Sequence, residues 1–300
     1  MAEAVLVGAR FAHYAALTLL FGAALFRLYG AGADRARLDP FLRRLGGWSA
    51  AVALGSGLAW LMATAAGMAG EPDAAFDPAV LGGVVLDTPF GRVWAVRLVA
   101  LALLLLMSGL RGAAAFVLQA AIGAGALASI ALTGHAAATV GALGTLHRAA
   151  DALHLLAAGA WLGALAVLAR LCRPDAPSGA AGPALARFSA AGTVAVAVLA
   201  GTGLANTLII LGRVFTPGGA SAGCVAGGYL GMLALKLALF VGMLGLAALN
   251  RWRTTPRLLS ARTPDALAGA RRQILIEQAL GAAVLAAVAV LGTLSPGCPS

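Results

Sequence analysis

Polar side chains in one apolar segment are spaced so that they share a face of a helix. His147, Asp151 and His154 follow one another at helical intervals, and Trp161 continues the same stripe. Neutral imidazole is the commonest metal ligand in proteins, and imidazole with carboxylate suits copper or zinc. The spacing therefore predicts a metal-binding face on this helix.

Further candidate ligands lie in other segments. His135 precedes the helix by a short connection containing Gly and Thr, which would hold its imidazole near the same face. His13, in the first apolar segment, is a plausible additional ligand. Thioethers favour Cu(I), so Met62, Met68 and Met232 are possible soft ligands.

Each of these side chains also has an ordinary structural explanation. His147 could titrate at the membrane interface, Asp151 could pair with Arg148 or a neighbouring helix, and His154 could make an interhelical hydrogen bond. The methionines could pack against lipid or other side chains. The spacing alone leaves both interpretations open.

Positive charges in the same part of the apolar segments support a second hypothesis. Ionisable groups inside a membrane cost roughly 2.5–3.5 kcal/mol each on insertion scales, so they usually face a partner, a cavity or a ligand. Arg10, Arg97 and Lys236 outnumber Asp151 there, with Asn206 as a neutral neighbour, and would repel a metal cation. They would instead suit the propionates of a haem b with histidine axial ligands. A membrane cytochrome is therefore the alternative to a copper-binding protein.

These side chains must be positioned by membrane-spanning helices. Hydrophobic residues make up 61% of the chain and charged residues 11%, and the mean hydropathy of +0.93 lies outside the range of water-soluble proteins. The apolar stretches lack the alternation of a membrane β-barrel. We expect an all-α, polytopic transmembrane helix bundle that forms a single domain over residues 1–300.

Eight apolar segments are long enough to cross a membrane, since about 20 apolar residues span roughly 30 Å of hydrocarbon. The predicted spans cover residues 5–28, 45–69, 90–110, 113–133, 148–170, 187–211, 229–250 and 273–294. Arg92 and Arg97 weaken the third span, and Glu277 lies near the start of the eighth.

The distribution of arginine predicts the orientation. Arginines concentrate in the gaps after the first, third, fifth and seventh spans, whereas residues 70–89 are acidic and include no basic residue. Cytoplasmic loops of membrane proteins are enriched in Arg and Lys. We therefore expect both termini on the outer face, with all four histidines in the outer half of the membrane. The net charge of +10 then reflects topology and does not indicate a nucleic-acid partner.

In this orientation Cys224 and Cys298 both lie outside, where an oxidising compartment permits a disulfide. Sequence spacing does not show whether their Cα atoms approach closely enough, so a disulfide and two free thiols both stay open. We expect residues 172–184 and 251–272 to be linkers.

Residues 133–165, TGHAAATVGALGTLHRAADALHLLAAGAWLGAL, combine a Gly-His after one span with D-x-x-H and W-x-G in the next. This segment resembles the CopD copper-resistance family of bacterial inner-membrane proteins. Residues 187–211 and 229–257 resemble the family's following spans, and residues 88–97 fit it too. The best match therefore runs over about 88–257, and the first and last spans match only in hydropathy.

The resemblance implies a protein that moves copper across the inner membrane, from periplasm toward cytoplasm, beside a periplasmic copper carrier of the CopC type. The positions that match the family pattern residue by residue are His135, Asp151, His154 and Trp161, with Asn206 and Lys236 in support. A third hypothesis is that the protein is a copper-delivery or assembly factor for a respiratory oxidase. The sequence has no phosphate-binding loop, nucleophile elbow or zinc-protease motif, so we expect no enzyme unless the haem alternative holds.

Overall fold

The regular elements that the structure describes are helices. The computed structural model describes residues 2–176, 179–214, 227–260 and 263–297. The α-helices in these ranges are α1 (Ala2–Tyr29), α2 (Arg35–Ala69), α3 (Pro78–Asp87), α4 (Pro89–Leu106), α5 (Ala113–Ala128), α6 (Gly141–Leu171), α7 (Ala181–Val214), α8 (Gly227–Leu249), α9 (Thr255–Ser260) and α10 (Pro264–Leu291). The expected all-α fold is confirmed. Cys224 and Cys298 lie outside the described residues, so their disulfide stays a prediction.

Within the described ranges, eight helical segments are long and apolar enough to cross a membrane. Their bounds are Glu3–Tyr29, Gly32–Ala69, Pro89–Gly109, Ala113–Leu132, Gly141–Leu171, Ala181–Gly212, Gly227–Ser260 and Pro264–Leu291. The predicted polytopic bundle of eight spans is confirmed. An even number of crossings places both ends of the bundle on the same side, and the assignment of that side to the outer face stays a prediction.

Several helices extend beyond the predicted spans. α2 begins at Arg35 and α10 at Pro264, each roughly two and a half to three turns before the predicted start. The hydroxyl of Thr263 caps α10 by accepting a hydrogen bond from the backbone N–H of Ala266 at 3.3 Å. Hydropathy detects the part of a helix that crosses lipid, whereas backbone hydrogen bonding continues through the charged residues beyond it.

The acidic segment 70–89 is helical rather than an open loop. It contains a 3₁₀ turn, Pro72–Phe76, and the apolar helix α3. Asp77 caps α3, because its Oδ1 accepts from the backbone N–H of Ala79 at 2.8 Å. Thr88 caps α4 in the same way and separates the two helices. Pro78 and Pro89 occupy the first positions of α3 and α4, where proline is favoured because the backbone N–H it lacks has no partner within the helix.

The segments expected to be linkers are shorter than predicted. The chain continues from α8 through a π-helical turn, Asn250–Thr254, directly into α9. α10 also begins inside this segment, at Pro264. The expected linker at 251–272 is therefore wrong for most of its length, because arginine-rich sequence is compatible with helix. α7 likewise begins at Ala181, inside the expected linker at 172–184.

α1 packs against α2, α5, α6 and α10. Its approach to α6 depends on small residues: a Cβ on Gly22 would collide with the carbonyl oxygen of Gly159, and one on Gly163 would collide with Gly22. Glycine contacts of this kind let membrane helices approach closely. α7 packs against α6, and α8 packs against α10, which leaves space between α7 and α8.

Candidate functional site

The turn that contains His135 lies against the N-terminal end of α6. His147 is buried, with 2% of its surface exposed, and its Nδ1 lies 2.9 Å from Thr139 Oγ1. The 3₁₀ turn His135–Ala138 packs against the start of α6. The side chain of His135 lies outside the described atoms, so its part in a metal site stays a prediction. Because His147 is buried, it is not the exposed interfacial group that its structural interpretation assumed.

Asp151 finds its partners on α7 and α8. The side-chain amide of Asn206 donates to Asp151 Oδ1 at 3.2 Å, and the Lys236 ammonium interacts electrostatically with the same carboxylate. Arg148 donates instead to the backbone carbonyl of Thr139 at 3.2 Å. Asp151 therefore pairs with neighbouring helices and not with Arg148, and it offsets the charge of Lys236.

His154 makes an interhelical hydrogen bond, as the structural interpretation of this residue predicted. Its Nδ1 lies 3.0 Å from the hydroxyl of Thr202 on α7. The same imidazole lines a cavity of about 310 Å³ between α6, α7, α8 and α10, together with Lys236, Phe240 and Trp161. We call this space the His154 cavity. The hydrogen bond orients the imidazole, so the structural and ligand interpretations are compatible.

A second cavity, of about 440 Å³, lies between α7 and the end of α8. Trp161, Asn250, Arg251 and Thr255 contribute to its wall, and we call it the Asn250 cavity. Trp161 borders both cavities. The predicted stripe on α6 therefore ends at the residue that separates them.

Glu277 of α10 is a functional candidate that the sequence analysis treated only as a weakness in the eighth span. It is fully buried. Its Oε1 accepts a hydrogen bond from Trp161 Nε1 at 2.7 Å, and its Oε2 accepts one from Asn250 Nδ2 at 2.8 Å. A sequence signal was present, because Glu277 and Asp151 are the acidic residues inside the predicted spans.

His13 is held in a form suited to ligand binding. It is 0% exposed, and its Nδ1 lies 2.9 Å from the carbonyl oxygen of Ala53. A carbonyl only accepts, so Nδ1 carries the proton and the neutral ring keeps a lone pair on Nε2. Nε2 is buried without a hydrogen-bond partner in the described part of the chain. The rings of Trp60 and Trp94 flank it, with centroids 5.8 and 5.3 Å away.

The two arginines near His13 rest on aromatic rings rather than on carboxylates. The guanidinium carbon of Arg10 lies 4.5 Å from the ring centroid of Trp60, and that of Arg97 lies 4.4 Å from Trp94. Arg97 Nε donates to Ser129 Oγ at 2.8 Å. Both terminal nitrogens of Arg97 and the indole nitrogen of Trp94 are buried without a partner among the described atoms. This cluster therefore offers hydrogen-bond donors to an acceptor.

The described part of the chain shows no preformed cluster of the predicted histidine and carboxylate ligands. Among the described side chains, no group of three or more His, Cys, Asp or Glu could hold a metal ion together. Met62 and Met232 are half-buried, and Met68 is 58% exposed. Copper binding by the predicted ligands, and haem binding as its alternative, stay predictions.

The chain is similar along its whole length to proteins of one family. A family model for copper resistance protein D-like N-terminal domains matches residues 1–145, and a model for copper resistance protein D matches residues 182–291. Copper resistance protein D of Pseudomonas syringae pv. tomato is 35% identical over 311 residues, which cover 99% of this chain and 98% of that protein. Inner membrane protein YebZ of Escherichia coli (strain K12) is 30% identical over 299 residues, covering 97% and 98%. No solved structure matches the chain.

Proposed function

Because the chain belongs to the copper resistance protein D family, we propose that this multi-pass membrane protein moves copper ions across the bacterial inner membrane. Transport runs from the periplasm toward the cytoplasm and serves copper homeostasis. The observation that carries the proposal is the pair of cavities that meet at Trp161 within the bundle. Together they offer an ion a route between α6, α7, α8 and α10.

Copper enters the route at the His154 cavity. His154 lines its wall, and Thr202 fixes the imidazole by a hydrogen bond of 3.0 Å, as partners of this kind fix metal-binding histidines. Asp151 lies one helical turn away and supplies the negative charge that offsets Lys236. His135 and His147 complete the proposed ligand set at the same end of α6.

Capture of the metal is the task of a partner protein. The segment 70–89, which faces outward in the proposed topology, contains neither histidine nor methionine. A periplasmic carrier of the CopC type would deliver copper to the protein. Uptake of carrier-bound copper should then require a lower total copper concentration than uptake of free copper.

The test compares copper binding and copper flux in the same preparation. We expect detergent-purified protein to bind copper and reconstituted protein to transport it into proteoliposomes, and both should fall at least tenfold in His154→Ala. Leu153→Ala is the matched control, because Leu153 lies beside His154 but is 53% exposed on the outside of the bundle. An unchanged copper content in His154→Ala would refute the site. Stoichiometric binding without flux in the wild type would favour the assembly factor for a respiratory oxidase.

A second candidate function rests on the donors beside His13. The unpartnered nitrogens of Arg97 and Trp94 suit an anionic group better than a free copper ion. A haem b in a membrane cytochrome would present propionates to such donors and could take His13 as an axial ligand. An absorption spectrum separates the two functions. A Soret band that shifts on reduction and disappears in His13→Ala would support the cytochrome.

A further inference from the structure

Glu277 is held where the two cavities meet. Its two hydrogen-bond donors are Trp161, which borders both cavities, and Asn250, which lines the Asn250 cavity. The carboxylate itself is 0% exposed. It therefore lies inside the protein beside the junction of the two cavities and is connected to both of them through its partners.

The carboxylate has no cationic partner in the described part of the chain. The two groups bonded to it are neutral, and none of the ion pairs between described residues includes it. A carboxylate buried without a counter-charge is unstable as an anion, particularly in a membrane. Glu277 therefore needs a proton or another cation for part of its working cycle.

Several titratable groups on the helices packed against α10 have partners other than Glu277. On α1, Arg10 bonds to Tyr14, His13 to Ala53 and Arg27 to Asp39. On α6 and α8, His154 bonds to Thr202, and Lys236 interacts with Asp151. In the π-helical turn, Arg251 bonds to Ser189 and Thr193 of α7. Trp161 and Asn250 donate hydrogen bonds to Glu277, so they respond directly to its charge.

Asn250 can hydrogen-bond to Glu277 whether or not Oε2 carries a proton. Trp161 can only donate a hydrogen bond, so its partner must be an oxygen that carries no proton. The indole N–H is a donor without acceptor capacity, so Oε1 stays an acceptor. Asn250 has a donor NH₂ and an acceptor oxygen, which exchange places when the amide turns over. Its Oδ1 is buried without a partner in the described structure. When Oε2 carries a proton, that proton can be donated to Asn250 Oδ1.

We propose that Glu277 is a proton-binding site that exchanges with the Asn250 cavity and whose proton alternates with copper. The proton resides on Oε2, and the Asn250 amide turns over as the proton arrives or leaves. The hydroxyl of Thr255 is a second buried polar atom in the wall of the same cavity that has no hydrogen-bond partner among the described residues. The wall of this cavity is mostly apolar, but Ser189, Thr193 and Asn250 also line it. Its volume has room for water that these polar groups would hold and that would carry the proton away.

The alternation with copper rests on the proposed function. A copper ion that reaches Trp161 from the His154 cavity brings a positive charge close to Glu277, which favours the carboxylate over the carboxylic acid. The acid then releases H⁺ to water in the Asn250 cavity, and the anion takes up H⁺ again after the copper ion leaves. No electron is transferred. Oxygen atoms are hard ligands and suit Cu(I) poorly, so a proton fits Glu277 better than copper does.

Infrared difference spectroscopy of membrane films tests the site without requiring transport. We expect a carboxylic C=O band that grows as pH falls, shifts in D₂O and is absent in Glu277→Gln. The band should also decrease when Cu(I), kept reduced with ascorbate, is added. Glu71→Gln, which makes the same change at an exposed glutamate, should leave the band unchanged.

Two further measurements separate the site from general structural effects. Trp161→Phe removes one donor, so the same band should move to higher frequency while still titrating. In weakly buffered solution, copper binding to the wild type should release about one proton more than binding to Glu277→Gln. Absence of a Glu277-dependent band, or a band that bound copper does not change, would overturn the proposal. If the wild type binds no copper, the proposed function fails, and the pH titration still decides whether Glu277 binds a proton.

Discussion

Trp161 Nε1 donates a hydrogen bond to Glu277 Oε1 at 2.7 Å, which joins α6 to α10 inside the bundle. The two residues are 116 positions apart in the chain. Trp161 continues the polar stripe of His147, Asp151 and His154, so this bond connects the predicted copper-binding face to a carboxylate in the last span.

Loss of this bond should destabilise the protein. Trp161→Phe leaves the buried Glu277 carboxylate with Asn250 as its remaining partner, which we expect to lower the free energy of unfolding by about 1–3 kcal/mol. Thermal unfolding in detergent measures the change. Trp252→Phe is the matched control, since Trp252 is 72% exposed and its substitution should have little effect. Equal stability of the two variants would contradict the assigned hydrogen bond.

The electrostatic interaction between Asp151 and Lys236 predicts non-additive substitutions. Asp151→Asn leaves the Lys236 ammonium without its opposing charge, and Lys236→Met leaves Asp151 without its cation, so each should cost roughly 1–3 kcal/mol. The double variant should cost less than the sum, because it buries no uncompensated charge. Additive losses in a double-mutant cycle would show that the two charges do not interact.

The glycine contact between α1 and α6 predicts a steric effect. Gly22→Ala would push a methyl group into the carbonyl oxygen of Gly159, and we expect a loss of about 1–3 kcal/mol from the forced separation of the helices. Gly55→Ala provides the control, because no described atom outside the local helix backbone lies within 4 Å of its Cβ position. That variant should be neutral or gain up to about 1 kcal/mol from helix propensity.

Cysteine labelling tests the proposed orientation. In a background with Cys224 and Cys298 replaced by serine, Asp73→Cys should react with a membrane-impermeant maleimide in spheroplasts. Ser260→Cys should react only after the membrane is opened. The opposite pattern would reverse the assignment of both termini to the outer face.

Native Cys172 should interfere little with this labelling. It is 1% exposed, and burial raises the pKa of its thiol to about 11, with a smaller opposing effect of Arg271. The thiolate is the reactive form, so labelling at neutral pH should be slow and should accelerate as pH rises toward that pKa. Rapid labelling of Cys172 at neutral pH would contradict its burial.

The sequence alone determined the class of fold and the number of spans. Each span depends on about 20 consecutive apolar residues, and the stripe on α6 depends on the repeat of a single helix, so both are local properties. Local pattern also placed Asp151 and His154 on one face. It missed α3, because a hydropathy criterion for spans ignores short helices that caps such as Asp77 begin.

Tertiary structure alone decided which partner each polar side chain meets. Asp151 could have paired with Arg148 or with another helix, and the rotation and neighbours of α6 direct it to Asn206 and Lys236. Glu277 could have faced lipid or another span, and the position of α10 brings it to Trp161 and Asn250. Such contacts depend on the order and rotation of helices in the bundle, which spacing along one chain segment does not encode.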